Sequence, residues 1–156
     1  ALSRYVTAVA SGKKYNYQLM DRIVDASGKT VKKYKADYED ISDTLTDSQW
    51  DALHSGMRQV VSTMDRFQGF DIPVAGKTGT AQQTGHANHG LFIGYAPYDD
   101  PEITIAVRIA NGYSSHNAAT AARNVISYYY KETSMKDIKE MKAAGVNGNT
   151  RNSVAD

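Results

Sequence analysis

Apolar positions along the chain change period three times, and each change marks an element. Leu2, Tyr5, Val6, Val9 and Ala10 recur at i, i+3, i+4, i+7 and i+8, the stripe of an amphipathic helix, and Gly12 closes it. No capping residue precedes Leu2, so this helix is expected to belong to a longer natural sequence. From Lys14 the period falls toward two. Tyr15, Tyr17 and Leu19 alternate, and Ile23-Val24 and Val31 flank Ala26-Ser27-Gly28-Lys29, a predicted hairpin turn with Gly28 at positive φ. Lys35 to Thr44 is polar and acidic and reads as a connector.

Thr46-Asp47-Ser48-Gln49 has capping-box spacing, and behind it Trp50, Leu53, Met57, Val60 and Val61 form a second helical stripe. Gly69 to Pro73 predicts a turn. Three strands are then expected, Val74 to Gln82, Gly90 to Ala96 and Glu102 to Ala110, the last two joined by Pro97-Tyr98-Asp99-Asp100-Pro101. Such short connections favour an antiparallel sheet. A final helix is predicted from Ala118 to Lys131, with Ala118, Ala121, Ala122, Val125, Ile126 and Tyr129 on one side, and a short charged helix over 136–144. The last residues, 145–156, are rich in Gly, Asn and Ser and are expected to be a disordered tail. The fold class is therefore α+β, an antiparallel sheet with packed helices.

Composition narrows the function only by exclusion. The chain has 156 residues, net charge +1 and no cysteine, with 41% hydrophobic residues. That is enough chain for one sizeable core. It carries no strong field for nucleic acid and no disulfide or cysteine-ligated metal. No apolar run reaches the length of a membrane span, so an anchor would lie outside this chain.

The chemistry concentrates in VAGKTGTAQ, residues 74–82. A phosphate loop needs a glycine five residues before Gly76, where Asp71 stands, and a helix directly after Thr78, where strand-like residues follow. Gly28-Lys29-Thr30 fails likewise, with Ile23 at the glycine position. As a strand lining a cleft, the run makes sense. Lys77 projects an ammonium, and Thr78 and Thr80 share a face and can bind one anionic group. Gly79 leaves room for a substrate backbone, and the Thr80 N–H can serve as an oxyanion-hole donor. Gln82 could line the same cleft or face solvent.

Lys77-Thr78-Gly79 also matches the third signature of the serine acyl-transfer enzymes. It is followed by HGLFIGYAPYDDPEITIAV and an Ala-rich helix ending ISYYY, and preceded by ALSRYVTAVASG and GMRQVV. This order of pieces resembles the C-terminal half of the transpeptidase domain of class B penicillin-binding proteins, over nearly all of residues 1–131. Leu91 departs from the Trp that the family commonly has there, and the hairpin around Ser27-Gly28 is a variable region. The resemblance implies the penicillin-binding-protein and serine β-lactamase-like fold, with residues 1–144 as a partial domain. It further implies a peptidoglycan D,D-transpeptidase acting through an acyl-serine on D-Ala-D-Ala stem peptides and bound by β-lactams. The expected place is the extracytoplasmic face of a bacterial membrane. No cofactor, metal or nucleic acid is implied.

The family's other two motifs, Ser-x-x-Lys and Ser-x-Asn, have only literal matches. Ser11-Gly12-Lys13-Lys14 sits at a helix end rather than a helix start, and Ser115-His116-Asn117 follows Lys-Thr-Gly in what reads as the loop before the last helix. The nucleophile is thus expected outside this chain, in the missing N-terminal half of the domain, and the chain alone is expected to be inactive. Two alternatives remain: a β-lactamase or β-lactam sensor of the same fold, and a noncatalytic binding or complementation module with an exposed apolar face.

Several other features read as structure. His86 and His89 lack further ligands for zinc, and the resemblance implies that His89, which begins the strand beside Lys-Thr-Gly, braces the two strands. Tyr128-Tyr129-Tyr130 point in three directions on a helix and form no stacking platform. Asp99-Asp100 is turn chemistry, and Lys136 to Lys142 is a solvated face.

Overall fold

In the computed structural model, which describes residues 1–140, α1 (Leu2–Ser11) opens the chain. Gly12 caps it at φ 65°, with its N–H on the Ala8 carbonyl. β1 (Lys13–Tyr15) follows, then the hairpin β2 (Arg22–Val24) and β3 (Thr30–Lys33), turning at Gly28 with φ 85°. Asp25 organises that turn. Its Oδ1 accepts from the Ser27 N–H and hydroxyl and the Lys29 N–H, bonds that hold its carboxyl below the usual range, the Ser27 hydroxyl contributing most.

The expected connector holds a strand. β4 (Tyr38–Asp40) pairs antiparallel with β1, so that Lys14 meets Glu39 at 2.6 Å and Tyr15 faces Tyr38 with ring centroids 5.2 Å apart. Its acidic residues find lysines across the strand pair, and this polar ladder lacks the apolar alternation that marks a half-buried strand.

α2 (Asp47–Ser62) begins at the predicted box: the Gln49 N–H donates to Thr46 Oγ1, and the Thr46 N–H donates to Gln49 Oε1. The three strands after it are β5 (Ala75–Ala81), β6 (His89–Ala96) and β7 (Ile103–Ile109), an antiparallel sheet in that order. β5 therefore forms one edge. α3 (Ser115–Tyr129) and the short α4 (Met135–Glu140) complete the described chain. The predicted tail, 145–156, and the end of the charged helix lie outside the described residues.

The pleat divides the sheet into two packed faces. Phe92, flanked by Gly76 and Gly94, faces α3 and packs with Ala118, Ala119, Ala122 and Ile126. Ala75 and Tyr95 face the other way, onto Val6 and Val9 of α1. α1 is also tied to β7 by Thr7 and Thr104, whose hydroxyl oxygens are 2.8 Å apart. Tyr95 is buried with its hydroxyl unpartnered among the described residues, and burial pushes its phenol up to about 12.

α2 straddles the β5 edge. Met57 enters the α1-side cluster and Val61 the α3-side cluster, while Arg58 Nη1 donates to the Val74 carbonyl at 3.1 Å.

The last helix differs from its predicted phase. Ser115, Ala119, Ala122 and Ile126 point inward, whereas Val125 and Tyr129 are about half exposed. It also starts earlier than expected: Ser115-His116-Asn117 is its first turn, capped by Ser114, not a loop. Alanine dominates both candidate faces of this segment, so periodicity alone could not choose between them.

Phe92 demands glycine beside it. A Cβ on Gly94 would lie 2.7 Å from the Ala75 carbonyl oxygen and 2.9 Å from the Phe92 ring. Gly94→Ala is expected to destabilise the chain by about 1–3 kcal/mol through overpacking. The urea midpoint should drop accordingly, and an unchanged midpoint would contradict this packing.

Candidate active site

β5 is half covered. α2 buries Val74, Ala75 and Gly76, while Lys77 to Ala81 runs out into a partly or fully exposed edge. All four residues of the Lys-Thr-Gly-Thr run lie on this open half.

Strand geometry sorts them onto two faces. Lys77, Gly79 and Ala81 share the α1 face with Ile93, Leu91 and His89 opposite, and Thr78 and Thr80 share the α3 face with Phe92 and Gly90 opposite. The threonines are thus together, as expected, but Lys77 leaves the strand from the opposite face. Its ammonium returns to the edge, where Nζ donates to the Thr78 carbonyl at 3.0 Å. The Val74 carbonyl is also bonded from outside the sheet, by Arg58. Both carbonyls have even parity, and in an antiparallel ladder the same parity turns the Thr80 N–H toward the open edge.

The glycines of the strand differ in kind. Gly76 is internally required, since a Cβ there would lie 2.5 Å from the Phe92 ring. At Gly79 a Cβ would make only an ordinary 3.6 Å contact with Leu91. Internal packing does not explain that glycine. Gln82 lies one residue past the strand and is exposed. The ladder ends at the pair Ala81–His89, so Gln82 has no residue across from it to hold it on the strand.

His89 is 8% exposed and braces more than a strand. Its Nδ1 accepts from the Asn111 N–H at 3.0 Å, and its Nε2 lies 2.6 Å from Gln83 Nε2. The ring therefore ties the loop after β5 to the turn after β7. That turn is strained, with Asn111 at φ 52° and Tyr113 at φ 65°. The Tyr113 N–H reaches the Asn88 carbonyl and the Asn117 side-chain amide donates to the Gly112 carbonyl. Together they seat the start of α3 directly on Gly90, where a Cβ would overlap the Ser114 carbonyl. Sequence reading marked His89 but not the turn that answers it, because left-handed Asn and Tyr carry no local signature as strong as glycine's.

The serines of the two literal motif matches are engaged by the fold itself. Ser11 sits at the α1 C-terminus with its hydroxyl on the Thr7 carbonyl at 2.7 Å, and Ser115 is 2% exposed.

His89→Ala is expected to leave the Asn111 N–H without its acceptor and to destabilise the chain by about 1–3 kcal/mol. Amide exchange at Asn111 should accelerate more than exchange in α1. Equal acceleration at both would contradict a local bracing role.

Comparison with known proteins adds an independent line. Residues 1–127 match the family model described as the penicillin binding protein transpeptidase domain. The peptidoglycan D,D-transpeptidase MrdA of Acinetobacter baumannii is 36% identical over 102 residues, covering 54% of this chain and 15% of that protein. MrdA of Haemophilus influenzae is 34% identical over 116 residues, covering 61% of this chain and 18% of that protein. The chain thus spans under a fifth of the length of these curated relatives. Among solved structures, an imipenem acyl-enzyme complex of penicillin-binding protein A from M. tuberculosis superposes with a TM-score of 0.71 at 19% identity, covering 82% of this chain and 29% of that one, a likeness of fold.

Proposed function

Because the chain belongs to the penicillin-binding-protein transpeptidase family, we propose that it is the Lys-Thr-Gly half of a peptidoglycan D,D-transpeptidase, and that the nucleophilic serine comes from the rest of the domain. On this reading residues 1–144 are a partial domain, of class B type. The observation that carries the proposal is the half-covered β5, whose exposed part coincides with Lys77-Thr78-Gly79-Thr80.

The roles follow from that geometry. Thr78 and Thr80, on one face, hydrogen-bond the terminal carboxylate of a D-Ala-D-Ala stem peptide. Gly79 lets the peptide backbone lie against the strand. The serine attacks the penultimate D-Ala carbonyl. The Thr80 N–H, turned to the edge, then helps bind the oxygen on which negative charge develops. The C–N bond breaks, D-Ala leaves, and an amine of a neighbouring stem later displaces the serine. Lys77 contributes a cation at the same edge, released from the Thr78 carbonyl when the cleft is complete. Gln82 lies too far along to share this strand and is kept only as a loop contact at the rim. β-Lactams enter as mimics of the D-Ala-D-Ala end.

The remainder of the domain is the first partner. A groove of about 520 Å³ between α1, α2 and the segment after β4 is lined by Tyr5, Ala8, Val9, Ile41, Leu45, Trp50 and Leu53. Tyr5 is 57% exposed on the stripe that predicted α1. Such an apolar surface supports packing against further protein. No helix among the described residues is long and apolar enough to cross a membrane, so on this reading the anchor to the extracytoplasmic face lies elsewhere in the protein. A β-lactamase or sensor of the same fold is the alternative, and the transpeptidase names of the curated relatives favour the first reading.

The test is acylation of the longer gene product by a fluorescent penicillin. Wild type should label, Lys77→Ala should label about 10²–10³-fold more slowly, and residues 1–156 alone should take no label. Labelling that ignores Lys77→Ala, or labelling of the isolated chain, would contradict the assignment.

A further inference from the structure

Beside α1 lies a second cleft, unlike the apolar groove that this helix shares with α2. Its volume is about 360 Å³, a size common among small-molecule sites, and its lining is largely polar. Arg4 and Thr7 of α1 line it together with Asn16, Tyr17, Gln18 and Asp21 from the segment that follows β1.

The polar groups are held in place before any ligand arrives. Arg4 Nη2 donates to Asn16 Oδ1 at 3.2 Å, and Asn16 Nδ2 donates to Asp37 Oδ2 at 2.6 Å. The Asn16 N–H also reaches the Asp37 carbonyl, so Asn16 is fixed at backbone and side chain. Arg4 Cζ stands 5.7 Å from the centre of the Tyr17 ring, a cation over an aromatic face. Gln18 Nε2 donates to the Met20 carbonyl at 2.7 Å, which leaves Oε1 as an acceptor. Two features of this framework serve no internal purpose. Tyr17 is 68% exposed, and Arg4 Nε is buried with no partner among the described residues.

The lining also selects the ligand by charge. Arg4 is its one cation and Asp21 its one anion. A stem peptide with free carboxylates would meet no net cation here. Planar amides, hydroxyls and an open aromatic ring suit a neutral ligand rich in hydroxyls, one C–H face covering the ring and the polar edge meeting the amides. That is the chemistry of a sugar.

We propose that this cleft binds the glycan strand of peptidoglycan, one sugar ring lying on Tyr17 and its hydroxyl and acetamido groups bonding Arg4 and Gln18. The choice of ligand rests on the transpeptidase reading and extends it, since the stem peptides of peptidoglycan hang from a glycan strand. Thr7 in the cleft lies against Thr104 of β7, the strand at the other end of the sheet from β5. Strand and peptide end are thus held in separate regions of the chain.

The experiment uses the longer gene product and glycan strands freed of stem peptides, labelled at one end and followed by fluorescence polarisation. Wild type should bind, and Tyr17→Ala should raise Kd about tenfold. Tyr17→Phe keeps the ring and should stay near wild type. Tyr128→Ala removes a ring that is about half exposed on α3 and should leave Kd unchanged. Absence of binding by wild type, equal losses from Tyr17→Ala and Tyr128→Ala, or displacement of the strand by isolated stem peptide would each overturn the proposal. Penicillin acylation of the wild type, measured in parallel, separates the two levels of failure. Acylation without Tyr17-dependent binding sinks the glycan inference alone. Tyr17-dependent binding without acylation sinks the transpeptidase reading and leaves the cleft a glycan site.

Discussion

The site depends on how closely α3 approaches the sheet, and glycine sets that distance. On the α3 face the sheet presents Gly76, Gly90 and Gly94 around the Phe92 ring. A Cβ at any of the three would strike the ring, a strand carbonyl or the Ser114 carbonyl. Without those side chains, Phe92 lies flat across β5 and β6, and the alanines of α3 meet it. The same close approach brings the helix start over Gly90, next to Thr80. Core packing and site geometry are therefore one constraint, and loosening the first would move the second.

A second constraint is the incomplete cover of β5. An unpaired strand edge is a liability in most soluble proteins because it recruits other strands. Here α2 closes its first part with Met57, Val61 and the Arg58 bond to Val74, and then diverges. What stays open is a row of backbone groups flanked by two threonines on one face and a lysine returning from the other. On the proposed reading the row receives an extended peptide ending in a carboxylate, the backbone pairing along the edge and the hydroxyls taking the terminus.

Much of this was legible in the sequence, for identifiable reasons. The Thr46–Gln49 box, Gly12 and Gly28 obey short-range rules, and the structure follows them. Family membership and the α+β sheet were legible because Lys-Thr-Gly occurs within a long run of strand and helix pieces in a specific order. The misses share a cause, a dependence on partners distant in sequence. β4 exists because Lys13 and Lys14 lie across from Asp40 and Glu39, which no local alternation announces. The phase of α3 was ambiguous because alanines stand on both sides, and only Phe92 decides between them. Strand β5 was predicted through Gln82, but the ladder ends where His89 begins β6. The opposed faces of Lys77 and the threonines follow from the strand period, yet their meeting at one edge requires knowing that β5 is an edge. His116 was dismissed with its neighbours as a connection, and the turn that lifts it into a helix depends on His89.

The central claim is that this chain supplies one wall of a serine acyl-transfer site and not its nucleophile. Peptide mapping of the penicillin adduct on the longer gene product tests it most directly. The account predicts a single acylated serine outside residues 1–156. An adduct on Ser11, Ser115 or any other serine within these residues would contradict it.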